Sequence, residues 1–332
     1  MGRNVAVASA PAKAILFGEH FVVYGKPAIA TALKRRVRAT STVNDAGKIR
    51  VRSMLGYSSI PLSSDPHLYE HDPHRHIIFS AASAMRLLDM QQGVDVLLES
   101  DFPYGMGLGA SAATSVATIA SVASLFGSIS KDEVFKLSLE AERLVHKNPS
   151  GIDSAVCTYG GLVLFNKDGR IERLDEKCSD YSNALHALHF IVVNSGIMKD
   201  TGTMVMKVKA REESSKEEFA SLAEMSEVIT MHALYAIRGR DLARVGELLT
   251  LNHMLLRRLG VSNDTLDTIV YTLVKNGAYG EKLTGAGGGG CIISLIDDAK
   301  STMLLNALSS YGYERFTSSI EEDGVIIHST DT

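Results

Sequence analysis

Two sets of side chains in the sequence are of a kind that does chemistry. The first is Lys13 with Glu19 and His20, in Pro11-Ala12-Lys13-Ala14-Ile15-Leu16-Phe17-Gly18-Glu19-His20. An ammonium can neutralise negative charge, and an acid and an imidazole are both groups that hydrogen-bond and titrate. The same residues serve equally as a solvated lysine beside a strand and an ordinary turn. The second set is Glu142 and Asp153, on either side of the start of Asn148-Pro149-Ser150-Gly151-Ile152-Asp153. Carboxylates supply hard oxygens to a divalent cation or accept a proton. An exposed helical acid and a helix N-cap are the plain alternatives.

Two glycine-rich runs complete the pattern. Pro103-Tyr104-Gly105-Met106-Gly107-Leu108-Gly109-Ala110-Ser111 lies between a predicted strand and a predicted helix. Glycines allow close backbone approach to a ligand, and the N-terminus of the following helix attracts an anion; a tight structural turn is the competing reading. The run contains no GxxxxGK[ST], which excludes a Walker-type phosphate loop. Gly105, Gly107 and Ala110 do satisfy a loose dinucleotide fingerprint. The acids that should follow about 20 residues on, at the end of the next strand, are here Asp132 and Glu133 inside a helix-opening capping box, so that reading fails. The second run, Lys282-Leu283-Thr284-Gly285-Ala286-Gly287-Gly288-Gly289-Gly290-Cys291, spends five glycines on six positions. Each carries an entropic cost, so close backbone approach is expected there.

The elements that must position these groups are legible in outline. Val5 to Ser9, Ala14 to Phe17 and Phe21 to Tyr24 are predicted as short strands, and Val37 to Val43 with Lys48 to Arg52 as a hairpin around Asn44-Asp45-Ala46-Gly47. A strand at Gly93 to Ser100 leads into the glycine loop and a small-residue helix from about Ser111 to Phe126. Ser130-Lys131-Asp132-Glu133 is a capping box that opens a second helix. Asp153 opens a short helix, and a hairpin turns at Lys167-Asp168-Gly169. The polar stretch from Glu176 to Asn183 marks a boundary, giving domains 1–183 and 184–332. Beyond it, strands at 190–193 and 291–296 alternate with helices near 203–238, 241–258, 264–275 and 298–311, followed by two closing strands. Helices mixed with separated strands read as α+β in both halves.

Taken together the motifs resemble the kinase superfamily that includes galactokinase, homoserine kinase, mevalonate kinase and phosphomevalonate kinase. Three motifs in the expected order span Pro11 to Cys291, and within the superfamily they are most similar to the mevalonate kinase pattern. Galactokinases carry arginine at the position of Lys13, and the compact length is similar to archaeal members. The resemblance implies a two-domain fold, an N-terminal mixed domain and a ferredoxin-like C-terminal domain with the nucleotide between them. It also implies ATP as co-substrate, Mg²⁺ as cofactor, mevalonate as acceptor, and a homodimer.

By the same resemblance the residues take roles. Asp153 and Lys13 are catalytic, the one as base or orienter of the acceptor hydroxyl, the other as the cation that shields the migrating phosphoryl group. Gly105, Gly107, Leu108, Gly109, Ala110, Ser111 and Ala112 hold ATP phosphates, Ser111 and Glu142 hold the metal, and Glu19, His20 and Thr201 face the acceptor. One departure from the family pattern is visible. Its second motif usually reads GLGSS, and here Ala110 replaces the first serine while Ser111 keeps the second. Backbone N–H donors are untouched, so a tuned site is expected rather than a dead one.

Composition sets the remaining bounds. The net charge of −4 excludes a whole-surface polycation for nucleic acid. The cysteines, Cys157, Cys178 and Cys291, have no metal or disulfide spacing, which fits a reducing cytoplasm. Met1 to Asn4 and the run that follows contain no apolar core of a secretory signal. No charge occurs between Asp101 and Lys131, but the stretch is made of small residues, which points to close packing in a soluble fold rather than a membrane span. His67, His71, His74 and His76 read as a solvated loop or helix start rather than a metal site. Alternatives in function are a sibling kinase for phosphomevalonate or a sugar, and a nucleotide-binding regulator without turnover.

Overall fold

The computed structural model describes residues 4–145, 149–177, 179–198 and 200–329; Met1 to Arg3, Asn148 and Cys178 lie outside the described residues. The first half runs β1 (Val5–Phe17), β2 (Ala28–Asn44), β3 (Lys48–Ser53), β4 (Gly56–Pro61), α1 (Arg75–Leu87), β5 (Gly93–Ser100), α2 (Ala110–Phe126), α3 (Lys131–Val145), α4 (Ile152–Tyr159), β6 (Leu162–Phe165) and β7 (Ile171–Arg173). Two short helices, α5 (Leu174–Lys177) and α6 (Ser179–Leu185), lead to the second half. There the order is β8 (His189–Asn194), α7 (Thr201–Ser214), α8 (Lys216–Arg238), α9 (Leu242–Leu259), α10 (Asp264–Lys275), β9 (Gly280–Thr284), β10 (Cys291–Ile296), α11 (Ser301–Ala307), β11 (Arg315–Ser319) and β12 (Ile326–His328).

The first sheet has the order β12-β1-β2-β5-β3-β4, with β6 paired to β2 and β7 to β6. Its inner face is paved with small residues: Ala6, Ala8, Ala10 and Ala12 of β1 are all fully buried. Against them lies α2, whose Ala, Ser, Thr and Val side chains let helix and sheet backbones approach closely. Several of its hydroxyls are hydrogen-bonded locally, as where Ser41 and Ser121 meet across 2.7 Å. That explains the charge-free stretch. No helix of the described residues is long and apolar enough to cross a membrane.

The second sheet has the order β11-β8-β10-β9 and is antiparallel throughout. Numbered within that half the order is 4-1-3-2, the ferredoxin-like arrangement the resemblance implies. The last strand leaves this half: β12 pairs with β1 in the first sheet, Val7 opposite His328.

Several local expectations change. The two short strands predicted between Val5 and Phe17 are one strand, with register shifts between Pro11 and Ala12 and between Ile15 and Phe17. Phe21–Tyr24 is a 3-10 turn, not a strand. The hairpin expected from 37–43 and 48–52 does not form, because β5 runs between its arms, antiparallel to β2 and parallel to β3. Gly93 makes this possible: a side chain there would strike Asn44, and would sit 2.7 Å from the Lys48 backbone. The capping box at Ser130 and Glu133 is present, with Ser130 N–H donating to Glu133 Oε2 over 2.8 Å. The hairpin at 167–169 is also present, as β6 and β7.

The histidine segment was misjudged in part. His74 and His76 are buried. His74 is held between the hydroxyls of Ser53, at 2.8 Å, and Ser58, at 2.7 Å, while His76 Nε2 lies 3.2 Å from Thr114 Oγ1 on α2. Both therefore knit α1 to its neighbours. Among the described residues no cluster of three or more His, Cys, Asp or Glu is arranged to hold a metal.

Candidate active site

The site is assembled around β1. Lys13 is 2% exposed, and its Nζ lies 3.0 Å from Asp153 Oδ1. Asp153 comes from the first turn of α4, which Gly151 opens in a left-handed conformation (φ 77°). The Asp153 side chain is 28% exposed, so this pair is buried at the amine and open at the carboxylate. The Lys13 N–H donates to the carbonyl of Leu108 over 2.9 Å, which fixes the glycine loop against the strand.

Gly109 shows why that loop needs glycine. It takes φ 74°, a region open to few other residues, and an added Cβ would sit 2.7 Å from Lys13 Cγ. The loop therefore rests on the stem of Lys13. The first intrahelical bond of α2 is Ala113 N–H to the Gly109 carbonyl at 2.9 Å. The N–H groups of Ala110, Ser111 and Ala112 precede it and form the positive end of the helix. Leu108, like Met106, packs into the core. Its side chain is 1% exposed, and its contribution is backbone.

Glu142 arrives from α3 and is buried. Its Oε2 accepts a hydrogen bond of 2.8 Å from Ser154 Oγ, one residue beyond Asp153. Burial, reinforced by the adjacent Asp153 charge, pushes its carboxyl well above the usual carboxylate range; Ser154 and Lys13 oppose the shift. One ammonium thus faces two carboxyl groups, and the one whose charge burial disfavours, Glu142, is the one a bound cation would help to ionise. Ser111 is half-buried at the start of α2. A hydroxyl and a carboxylate are hard-oxygen donors that suit Mg²⁺, which keeps waters and nucleotide oxygens for the rest of its shell.

The other predicted residues meet on the far side of Lys13. Glu19 is 2% exposed, and both of its oxygens are taken by protein donors: Lys282 Nζ on Oε1, and Asn252 Nδ2 on Oε2 at 3.2 Å. His20 has φ 63°, and its Nε2 lies 3.0 Å from the Ala286 carbonyl. The 285–290 run therefore touches the catalytic loop as expected. The space its glycines leave is filled by protein, however. A Cβ on Gly288 would meet Met204 Sδ at 2.8 Å, and one on Gly289 would meet the Ile197 carbonyl at 2.5 Å. Thr201 is the first residue of α7, one turn before the Met204 that meets Gly288.

Sequence reasoning missed Ser154, Lys282 and Asn252. Lys282 stands in a motif whose glycines drew the attention. Asn252 and His253 were visible as a polar pair within the otherwise leucine-rich Leu248 to Leu256, a signal of buried hydrogen bonding.

An anion-binding helix end, a lysine–aspartate pair and a second domain closing on them define a small-molecule kinase of the GHMP class. The GHMP kinases N terminal domain family matches residues 76–161, and the GHMP kinases C terminal family matches 232–314. A mevalonate kinase of Pyrococcus horikoshii is 37% identical over 304 residues, covering 87% of this chain and 88% of the relative, and one of Aeropyrum pernix is 32% identical over 325 residues, 97% and 98%. The chain belongs to the mevalonate kinase family. Among solved structures, the Methanococcus jannaschii mevalonate kinase matches with a TM-score of 0.85 at 25% identity, over 95% of this chain and 98% of that one. The L. major mevalonate kinase in complex with R-mevalonate matches at 0.77 and 25%, over 97% of each.

Proposed function

We propose that the protein transfers the γ-phosphoryl group of ATP to the 5-hydroxyl of (R)-mevalonate, in the cytoplasm. The observation that carries this reading is the convergence of Lys13, Asp153 and the Gly107–Ser111 loop, with Lys13 Nζ 3.0 Å from Asp153 Oδ1 and the Lys13 N–H 2.9 Å from the Leu108 carbonyl. Family membership supplies the acceptor.

Phosphoryl transfer asks for positioning and charge neutralisation more than for covalent chemistry. The N–H groups of Ala110, Ser111 and Ala112 receive phosphate oxygens at the helix end. The exposed edge of Asp153 accepts the hydrogen bond of the acceptor hydroxyl and takes its proton as the new P–O bond forms. Lys13 stabilises the carboxylate on one side and the migrating phosphoryl group on the other. Ser111 and Glu142 hold Mg²⁺, which neutralises the phosphate charge when bound. Glu19, His20 and Thr201 shape the acceptor side. Burial of the Cys157 thiol, whose Sγ lies 3.2 Å from the Pro11 carbonyl, pushes its pKa up and keeps it inert beneath this site.

ADP release with mevalonate, phosphomevalonate and galactose offered separately tests the reading. Release with mevalonate, giving a product whose phosphorus couples to the C5 protons, supports it. Phosphate on the 3-hydroxyl, or release with another acceptor alone, overturns it.

A further inference from the structure

Lys282 is fully enclosed, more so than Lys13 itself. Its Nζ spends all three protons at the junction of the two halves. It donates to the Leu283 carbonyl at 2.6 Å, to the Ile15 carbonyl of β1 at 3.2 Å, and to Glu19 Oε1. Ile15 is two residues beyond Lys13, and Glu19 immediately precedes His20. One amine therefore grips both the strand that carries the catalytic lysine and the loop that carries the imidazole.

The grip is itself braced from α9 and α10. Asn252 holds the second oxygen of Glu19. The Leu283 N–H donates to His253 Nδ1 over 3.3 Å, which leaves His253 Nε2 as the protonated nitrogen facing Asp267 Oδ1 at 3.2 Å. Thr284 accepts from the Ile15 N–H at 3.0 Å. The loop needs such bracing, because His20 sits at φ 63°, a conformation that costs a non-glycine residue and persists only where the surroundings fix it. A Glu19 with both oxygens occupied and 2% exposure has no face left for a ligand.

We propose that Lys282, with Asn252, is a positioning residue for the acceptor side of the site: through the sealed Glu19 pair it fixes the Gly18-Glu19-His20 loop relative to Lys13. Glu19 then acts through the loop, and contact with the acceptor falls to His20. This rests on the mevalonate reading above. It separates the two substrates, because the grip touches the acceptor loop and not the Gly105–Ser111 phosphate loop.

The test is steady-state kinetics with mevalonate and MgATP varied separately, on wild type, Lys282→Met, Glu19→Gln, the double variant and Asn252→Ala. Lys282→Met leaves a buried carboxylate without its counter-ion, and is expected to raise the mevalonate KM about tenfold or more while the ATP KM stays within about twofold. The double variant removes both charges and should return to within about threefold of Glu19→Gln, a coupling that independent residues lack. Equal rises in both KM values, or single effects that multiply in the double variant, overturn the proposal. Should Lys282→Met not fold, Asn252→Ala decides: an acceptor KM raised about threefold with ATP KM unchanged supports the proposal, and an unchanged acceptor KM overturns it. A wild type inactive on mevalonate refutes the functional reading instead, and the same comparison then uses the acceptor it does phosphorylate.

Discussion

Two lysine–carboxylate pairs engage β1, and they are built oppositely. Lys13–Asp153 is open at the carboxylate, 28% exposed, with Glu142 beside it as a second acid. Lys282–Glu19 is sealed, its side chains 0% and 1% exposed, and its charges cancel. A buried charge is costly unless paired, so the sealed pair can only be structural, and removing one partner harms more than removing both. The open pair has a second acid beside it, Glu142, whose charged form burial disfavours and a bound cation would favour. That acid becomes useful only when ligands bring positive charge and phosphate together. Exposure and charge balance, more than the shared chemistry of the groups, separate the open pair from the sealed one.

The contrast can be broken most sharply at the open pair. Asp153→Asn and Lys13→Met should each lower kcat by about 10²-fold or more while leaving the circular dichroism spectrum unchanged; near-normal turnover in either would make this pair a frame as well. Next in size is the metal side. Chelation should abolish turnover and added Mg²⁺ restore it, and Glu142→Gln should raise the Mg²⁺ concentration for half-maximal activity by about tenfold, read from a titration at saturating ATP. Gly109→Ala forces a Cβ to 2.7 Å from Lys13 Cγ. It should cost about tenfold in kcat/KM, because small displacements of reacting groups are expensive; kcat/KM at wild-type level would sever the loop from the lysine.

The smallest effect is expected beside the sealed pair. Glu281 neighbours Lys282 on β9 but faces the other way; it is fully buried, with Thr250 Oγ1 at 3.2 Å from Oε1 and no protein partner for Oε2 among the described residues. Burial pushes its carboxyl up to about 7. A folded-state acid raised in this way is protonated up to neutrality, whereas in the unfolded chain it ionises near its ordinary value. Its unfavourable contribution is therefore absent in acid and grows as pH rises from the ordinary carboxylate range to about 7. Glu281→Gln should raise Tm by a few degrees at pH 8 and by little at pH 4.5, as measured by calorimetry. A gain that is equal at both pH values would remove Glu281 from the titration.

The parts legible in the sequence were those with local signatures. Capping at Ser130 and Glu133, the Asp153 helix start, and the glycine loop ahead of α2 each follow from backbone rules acting over a few residues. The hairpin that fails at 44–47 does so because β5, arriving from fifty residues further on, displaces the local partner. No turn rule detects that competition, although Gly93 in an alternating strand was a hint of close approach. The same limit applied to the site. The types of Lys13 and Asp153 were visible, but exposure is a property of the packed chain. Sequence could not tell the open pair from the sealed one, and so Glu19 was assigned to the acceptor and Lys282 was passed over.

The return of β12 to the edge of β1 has one more consequence. The ferredoxin-like half is joined to the first sheet at both of its ends, once through the segment before β8 and once through the segment between β11 and β12. Two covalent crossings tie the halves more closely than one linker would, so less freedom remains to be lost when a ligand bridges them.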